Sequence, residues 1–269
     1  MHKLITLIII LSFFSSQAQQ SNFSFEVIYQ FIFQTDSLKP QSFIKEKTIL
    51  LSGFKESIFF SEQHYLSTNL VKETNLSNIH QITEKVKNSG SGVLLNIEIL
   101  KDFDKNNITQ KEKFWGNYSI TEPINMLQWN ITGDTLKILN FTCQKAITYF
   151  KGRTYTAWFT TEIPSKDGPW KLCGLPGLIL KAEDATGQVK FNALEIKEEI
   201  SVNFYSTINN TQNITSYQLK KLKDVFYENP KEFIENNWSP SASKHQGMKI
   251  NFPEGYKIKI PTNAIEIKY

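Results

Sequence analysis

The chain reads as mainly β, α+β at most: a curved antiparallel sheet or half-open barrel with a short C-terminal helical segment packed against it. Three observations point there. Phe23 to Gln34 alternates, so Phe23, Phe25, Val27, Tyr29, Phe31 and Phe33 share one face, as in a half-buried strand. Apolar runs of strand length then follow one another, separated by Gly, Asn, Asp and Ser clusters, as successive hairpins require. Helical spacing is convincing only over 216–236. A sheet of that many strands accumulates twist until it curls, and its hollow side must be filled by a helix, a partner or water.

The elements can be justified in order. Ser42 to Leu51 and Phe54 to Ser61 form the second and third strands across a Ser52-Gly53 turn. Glu62 to Gly92 is polar and weakly periodic, a long loop with a short helix. Val93 to Leu100 is a strand, and Asp102 to Asn107 a polar hairpin segment. Strand-sized pieces follow at Lys113 to Ile120, Met126 to Asn130 and Thr135 to Phe150, with Thr132-Gly133-Asp134 as a turn. Arg153 to Ile163, Pro176 to Glu183 and Gln188 to Lys197 continue the pattern, the last two separated by Asp184-Ala185-Thr186-Gly187. Leu219, Leu222, Val225, Phe226, Phe233 and Ile234 recur at helical spacing, and Pro230 splits them into two short helices because proline is tolerated in a first turn. Gly255 to Ile267 closes as a lysine-rich strand, an edge protected by charge.

The first residues read as an export signal: Lys3, an apolar run from Leu4 to Phe14, then Ser16-Gln17-Ala18 as a cleavage site. This predicts a signal peptide at 1–18, a single β-rich domain at 19–269 and no transmembrane segment after cleavage, because the apolar run falls short of the roughly 20 residues a spanning helix needs. The formal charge of +4 includes Lys3. Lysines alternate with acids rather than pooling, which argues against nucleic acid as partner. Cys143 and Cys173 reach a compartment where disulfides persist, so they are either bridged or both buried free thiols.

Positions 168–180, GPWKLCGLPGLIL, concentrate backbone punctuation before an apolar run. Gly168-Pro169 is a turn signal, and Gly174 and Gly177 bracket Leu175-Pro176. Proline lacks a ladder donor, so the strand proper begins after Pro176. The motif is a corner that ends one crossing and aims Leu178-Ile179-Leu180 into the sheet. Gly174, Leu175, Pro176, Gly177, Leu178 and Ile179, with Cys143-Gln144-Lys145-Ala146, Gly152-Arg153 and Ala157-Trp158-Phe159-Thr160 upstream, resemble the GLPGLI family of secreted bacterial proteins. The pattern is similar to the amino-terminal bowl-like domain of some bacterial peptide-N-glycanases, a resemblance that implies a non-catalytic domain whose specific role is not known.

Arg153 is the single arginine in a chain whose default cation is lysine. Its planar fork suits a carboxylate, from Glu162, Asp167 or an acidic ligand. Trp158 and Trp170, with Trp129, are candidates for an aromatic platform, and Pro176 for a ligand contact at the corner. Catalytic patterns are missing. His64, His80 and His245 all fall outside the central segment, and there is no nucleophile elbow, zinc motif, calcium loop or phosphate loop. No cofactor is expected. The reading is an exported, non-catalytic protein, periplasmic or extracellular, that binds an envelope protein, peptide or glycan in a concave aromatic-lined sheet face. The alternatives are a hydrolase using a carboxylate pair such as Glu162 with Asp167 or Glu183, and a purely structural envelope protein.

Overall fold

The computed structural model describes residues 23–39, 41–66, 95–124, 127–198, 200, 204 and 206–237. The leader at 1–18, most of the 62–92 loop and the strand expected at 255–267 lie outside them. The elements are β1 (Phe23–Gln34), β2 (Phe43–Gly53), β3 (Glu56–Ser61), α1 (62–66), β4 (Ile97–Asp102), β5 (Asn107–Lys113), β6 (Asn117–Pro123), β7 (Asn130–Ile138), β8 (Phe141–Phe150), β9 (Arg153–Thr160), β10 (Leu178–Asp184), β11 (Val189–Glu198), β12 (Gln212–Asn213), α2 (Ser216–Glu228) and α3 (Pro230–Asn237). They build one 12-stranded open sheet, ordered β12-β6-β5-β4-β3-β2-β1-β11-β10-β9-β8-β7. Every neighbouring pair is antiparallel except β12 with β6.

The sheet curls. Glu122 of β6 and Lys151 of the β8–β9 turn stand near its opposite ends yet form an ion pair, which strands eight places apart in a flat sheet cannot do, and the buried cluster runs continuously from Ile108 of β5 to Cys143 of β8. Strand alternation separates this inner face from an outer one. Phe59 enters the large core, whereas its neighbours Ile58 and Phe60 join a small cluster with Leu51, Tyr65 and Phe204. The strict alternation expected of β1 is broken at its start. A register shift between Phe23 and Phe25 sends Phe23 to the small cluster and Phe25 to the large one.

Two turns sit elsewhere than the sequence predicts. Lys113 to Ile120 is not one strand: Phe114, Trp115 and Gly116 form the β5–β6 turn, with Trp115 at φ 54°. Thr135 to Phe150 is likewise two strands, joined at Leu139-Asn140 with Leu139 at φ 54°. Thr132-Gly133-Asp134 is a register irregularity within β7. In both turns the left-handed backbone falls on a bulky residue, Trp115 or Leu139, rather than on the adjacent Gly116 or Asn140.

The helical pair is as read. Thr215 and Gln218 form a reciprocal capping box at the start of α2, and Pro230 opens α3. Phe226, Phe233 and Ile234 pack on Phe114, and Trp115 lies against Phe226 and Phe233, so the helices dock on the β5–β6 turn.

Candidate functional site

Residues 161–177, between β9 and β10, decide which face of the sheet is available. Their burial is not that of a surface loop: Trp170, Leu172, Cys173 and Leu175 are each at most 1% exposed. The segment lies on the inner face and fills it. Register explains how it is held. Ser52, Ser57, Lys101, Ile108 and Glu122 stand opposite one another across β2, β3, β4, β5 and β6, one row on one face. The segment offers complementary charges. Lys101 Nζ lies 2.5 Å from Asp167 Oδ1 and 2.6 Å from the Gly168 carbonyl oxygen, while Ser52 Oγ donates to Asp167 Oδ2 at 2.8 Å. Lys171 Nζ reaches Glu122 Oε2 at 2.9 Å, and Lys151 pairs with the other oxygen. Burial alone would raise the Glu122 carboxyl, but Lys171 and Lys151 outweigh it and hold it below its ordinary range.

Further bonds complete the closure. Trp129 Nε1 donates to the Cys173 carbonyl at 2.8 Å, and Tyr29 OH to the Ile179 carbonyl at 2.7 Å. Trp170 packs on Phe150 and Tyr155. The Gly-Leu-Pro-Gly corner is geometric. A Cβ on Gly177 would stand 2.1 Å from the Thr160 oxygen, so only glycine allows this approach, and Gly174 lies at φ 93°.

The predicted site residues therefore part company. Trp170 is core and offers no open surface. Arg153 is buried, its Nη1 2.6 Å from Asp184 Oδ2 and 3.2 Å from Gln188 Oε1, so the carboxylate it meets here is Asp184 rather than Glu162 or Asp167. The sequence separated Asp184 into a turn, which hid it. Pro176 is exposed at the corner, and Leu178 and Ile179 are buried where β10 begins. The Cys143–Cys173 bridge is not formed: both thiols are free and buried, and Sγ contacts Phe141 O and Lys171 O respectively. Burial pushes each thiol up to about 11. Of the carboxylates considered for hydrolysis, Asp167 is sealed against Lys101 and Glu162 caps the Thr142 amide at 2.8 Å.

Trp158 alone of the proposed aromatic pair faces outward. It is half-buried, and in register it stands between Lys145 of β8 and Lys181 of β10. The row continues to Asn192, Gln30 and Lys47 on β11, β1 and β2, all at least partly exposed. One step along, Thr156, Glu183 and Lys190 form a second row, and Tyr149 and Thr154 a third pair. Asp134 lies 3.0 Å from Lys145 and Glu183 3.6 Å from Lys181, so the lysines are partly compensated. An indole flanked by two partly compensated lysines, with amides farther along its row and hydroxyls on the next, is a surface that stacks on a flat apolar face and hydrogen-bonds at its edges. Reading the sequence missed this row, because Asn192 and Gln30 are ordinary outward strand residues until register aligns them.

His64 lies in α1, with Nε2 2.8 Å from Thr207 Oγ1, and burial lowers its pKa. Thr207 and Ser206 in turn donate to Glu98, a network that fastens residues 206–207 to the outer side of β4. Among the described residues no cluster of three or more His, Cys, Asp or Glu is placed to hold a metal ion, and no helix is long and apolar enough to cross a membrane.

Fold and site together define an open, curled β-sheet domain whose hollow is closed by its own chain and whose polar rows lie outside. Residues 98–228 match the family described as N-glycanase peptide, N-terminal domain, and the chain resembles that domain of bacterial peptide-N-glycanases. Two structures of PNGF-II, in P21 and C2 crystal forms, share the fold with TM-scores of 0.52 and 0.51 at 17% identity. The similarity covers 74% of this chain but 33% and 32% of theirs, so this chain matches about a third of those proteins. No curated protein sequence matches it.

Proposed function

We propose that this protein is an exported, non-catalytic binding domain, periplasmic or extracellular, that takes a glycopeptide on the outer sheet face around Trp158. The observation that carries the reading is the cross-strand row Lys145, Trp158, Lys181, Asn192, Gln30 and Lys47. A sugar ring has an apolar face for the indole and hydroxyls for the flanking lysines and the amides farther along the row, and a peptide backbone suits the same groups. The resemblance to a domain of N-glycanases supports a glycan- or peptide-related ligand. The inner face does not serve, since residues 163–175 occupy it.

Calorimetric titration with an asparagine-linked glycopeptide, its deglycosylated peptide and the free glycan tests the proposal. Binding of at least one, weakened roughly tenfold or more by Trp158→Ala at an unchanged melting temperature, is the expected result, as for loss of a contact worth about 1.4 kcal/mol. Titrations indifferent to Trp158 would sink it.

A further inference from the structure

Lys101 and Asp167 are both 0% exposed in their side chains, which no other described ion pair matches. They are 66 residues apart, one on β4 and one on the segment that closes the hollow. The surroundings are specific. Ser52 Oγ donates to Asp167 Oδ2 at 2.8 Å, and the Gly168 amide donates to Oδ1 at 2.8 Å. The Gly168 carbonyl accepts from Lys101 Nζ at 2.6 Å and so orients the amine. Ser57 stands directly opposite Lys101, and its buried Oγ has no hydrogen-bond partner among the described residues. Ile99 and Trp170 beside them belong to the core, which excludes water.

We propose that Lys101 and Asp167 become joined by an intramolecular isopeptide bond, formed by the folded chain without a cofactor. The ammonium passes one proton to Oδ1 along their hydrogen bond, leaving an amine and a carboxylic acid. The Nζ lone pair adds to Cγ, and the Ser52 hydroxyl meets the charge that develops on Oδ2. The Cγ–Oδ1 bond then breaks, and Oδ1 leaves as water with a second proton from Nζ, for which the spare Ser57 hydroxyl is the nearest relay in register. The product is a secondary amide that keeps Oδ2 and one Nζ hydrogen. Holding amine and acid in contact replaces a bimolecular encounter, worth effective molarities of about 10⁵ M or more in well-oriented cases. Exclusion of water from the core opposes the reverse hydrolysis.

Intact-mass spectrometry of the purified native chain, followed by tryptic mapping, tests this directly. The expected mass is lower than that of the linear sequence by one water, with no cleavage after Lys101 and one branched peptide carrying both residues. Lys101→Arg keeps a cation beside Asp167 but cannot close the bond under the same scheme, so it returns the full linear mass. Native chain at full mass, cut after Lys101 and yielding two separate peptides, would overturn the proposal whether or not the variant folds.

Discussion

Arg153 Nη1 lies 2.6 Å from Asp184 Oδ2, joining the first residue of β9 to the last of β10 with both side chains at most 2% exposed. Asp184 also takes the Val189 amide at 2.8 Å and the Thr186 hydroxyl, so one carboxylate organises the β10–β11 turn. Removing one member strands the other charge in the core, at a cost of about 3–5 kcal/mol. Asp184→Ala is therefore expected to lower the urea midpoint sharply. Replacing both together, Arg153→Met with Asp184→Leu, restores much of the loss because no buried charge remains. A double variant weaker than the sum of the singles would contradict this account.

Gly177 and Gly174 separate two reasons for glycine. At Gly174 the backbone lies at φ 93° with only Trp129 near, so Gly174→Ala carries a conformational cost of about 1–3 kcal/mol. At Gly177 an added Cβ meets the Thr160 carbonyl oxygen at 2.1 Å and its carbon at 2.5 Å, and the end of β9 must give way. Gly177→Ala is expected to exceed about 4 kcal/mol or to prevent folding. Denaturant melts of the two variants rank the effects.

Much of this fold was legible because strand period and turn chemistry are local. β1, β2, β10 and β11 follow from alternation and from Gly, Asp and Pro between them, and the α2–α3 break follows from Pro230. The β5–β6 and β7–β8 turns were hidden because the positive φ falls on bulky Trp115 and Leu139, and a single Gly116 or Asn140 beside them is a weak signal inside otherwise strand-like runs. The site was less legible for a different reason. Nothing local says that Lys101 faces inward toward Asp167, although its place two residues beyond Ile99 in an alternating strand marks it as a lysine in need of a buried partner. Likewise the Trp158 row exists only through register across six strands.

The free thiols give a reactivity and a pH signature. Burial raises both from 9.0 to about 11, so neither is thiolate near neutrality and neither faces solvent. A thiol reagent at pH 8 should label the native chain negligibly and the unfolded chain at both sites, while a reductant leaves the melting temperature unchanged. The folded state holds these protons more tightly than the unfolded one, so their contribution to stability is complete below about pH 9 and is lost as pH rises towards 11. The Cys143→Ala, Cys173→Ala chain lacks that part of the alkaline slope. Rapid native labelling, or a melting shift with reductant, would refute the assignment.

Glu122 sets the acid side. It joins β6 to Lys171 of the closing segment, to Lys151 of the β8–β9 turn and to Ser216 at the head of α2. Its folded pKa is lowered, so its stabilisation is present above the unfolded value near 4.5 and disappears as pH falls through the folded one. Glu122→Gln should be less stable than the native chain at pH 7 and converge with it in acid. A gap that stays constant from pH 7 to pH 3 would show that the two lysines do not tune this carboxyl.

Trp170 and Trp158 should answer oppositely to the same two measurements. Trp170 is 1% exposed and packs on Phe150 and Tyr155, so Trp170→Ala opens a cavity beneath the closing segment and is expected to cost about 3–5 kcal/mol. Trp158 is only half-buried where it packs against the core, and Trp158→Ala should cost clearly less. Iodide quenching locates them independently: the quenchable fraction of tryptophan emission should fall in Trp158→Phe and rise in Trp170→Phe, which removes only unquenched emission. If the two substitutions destabilise the chain equally and Trp158→Phe leaves quenching unaltered, the indole does not reach solvent and the outer row cannot be where a ligand stacks.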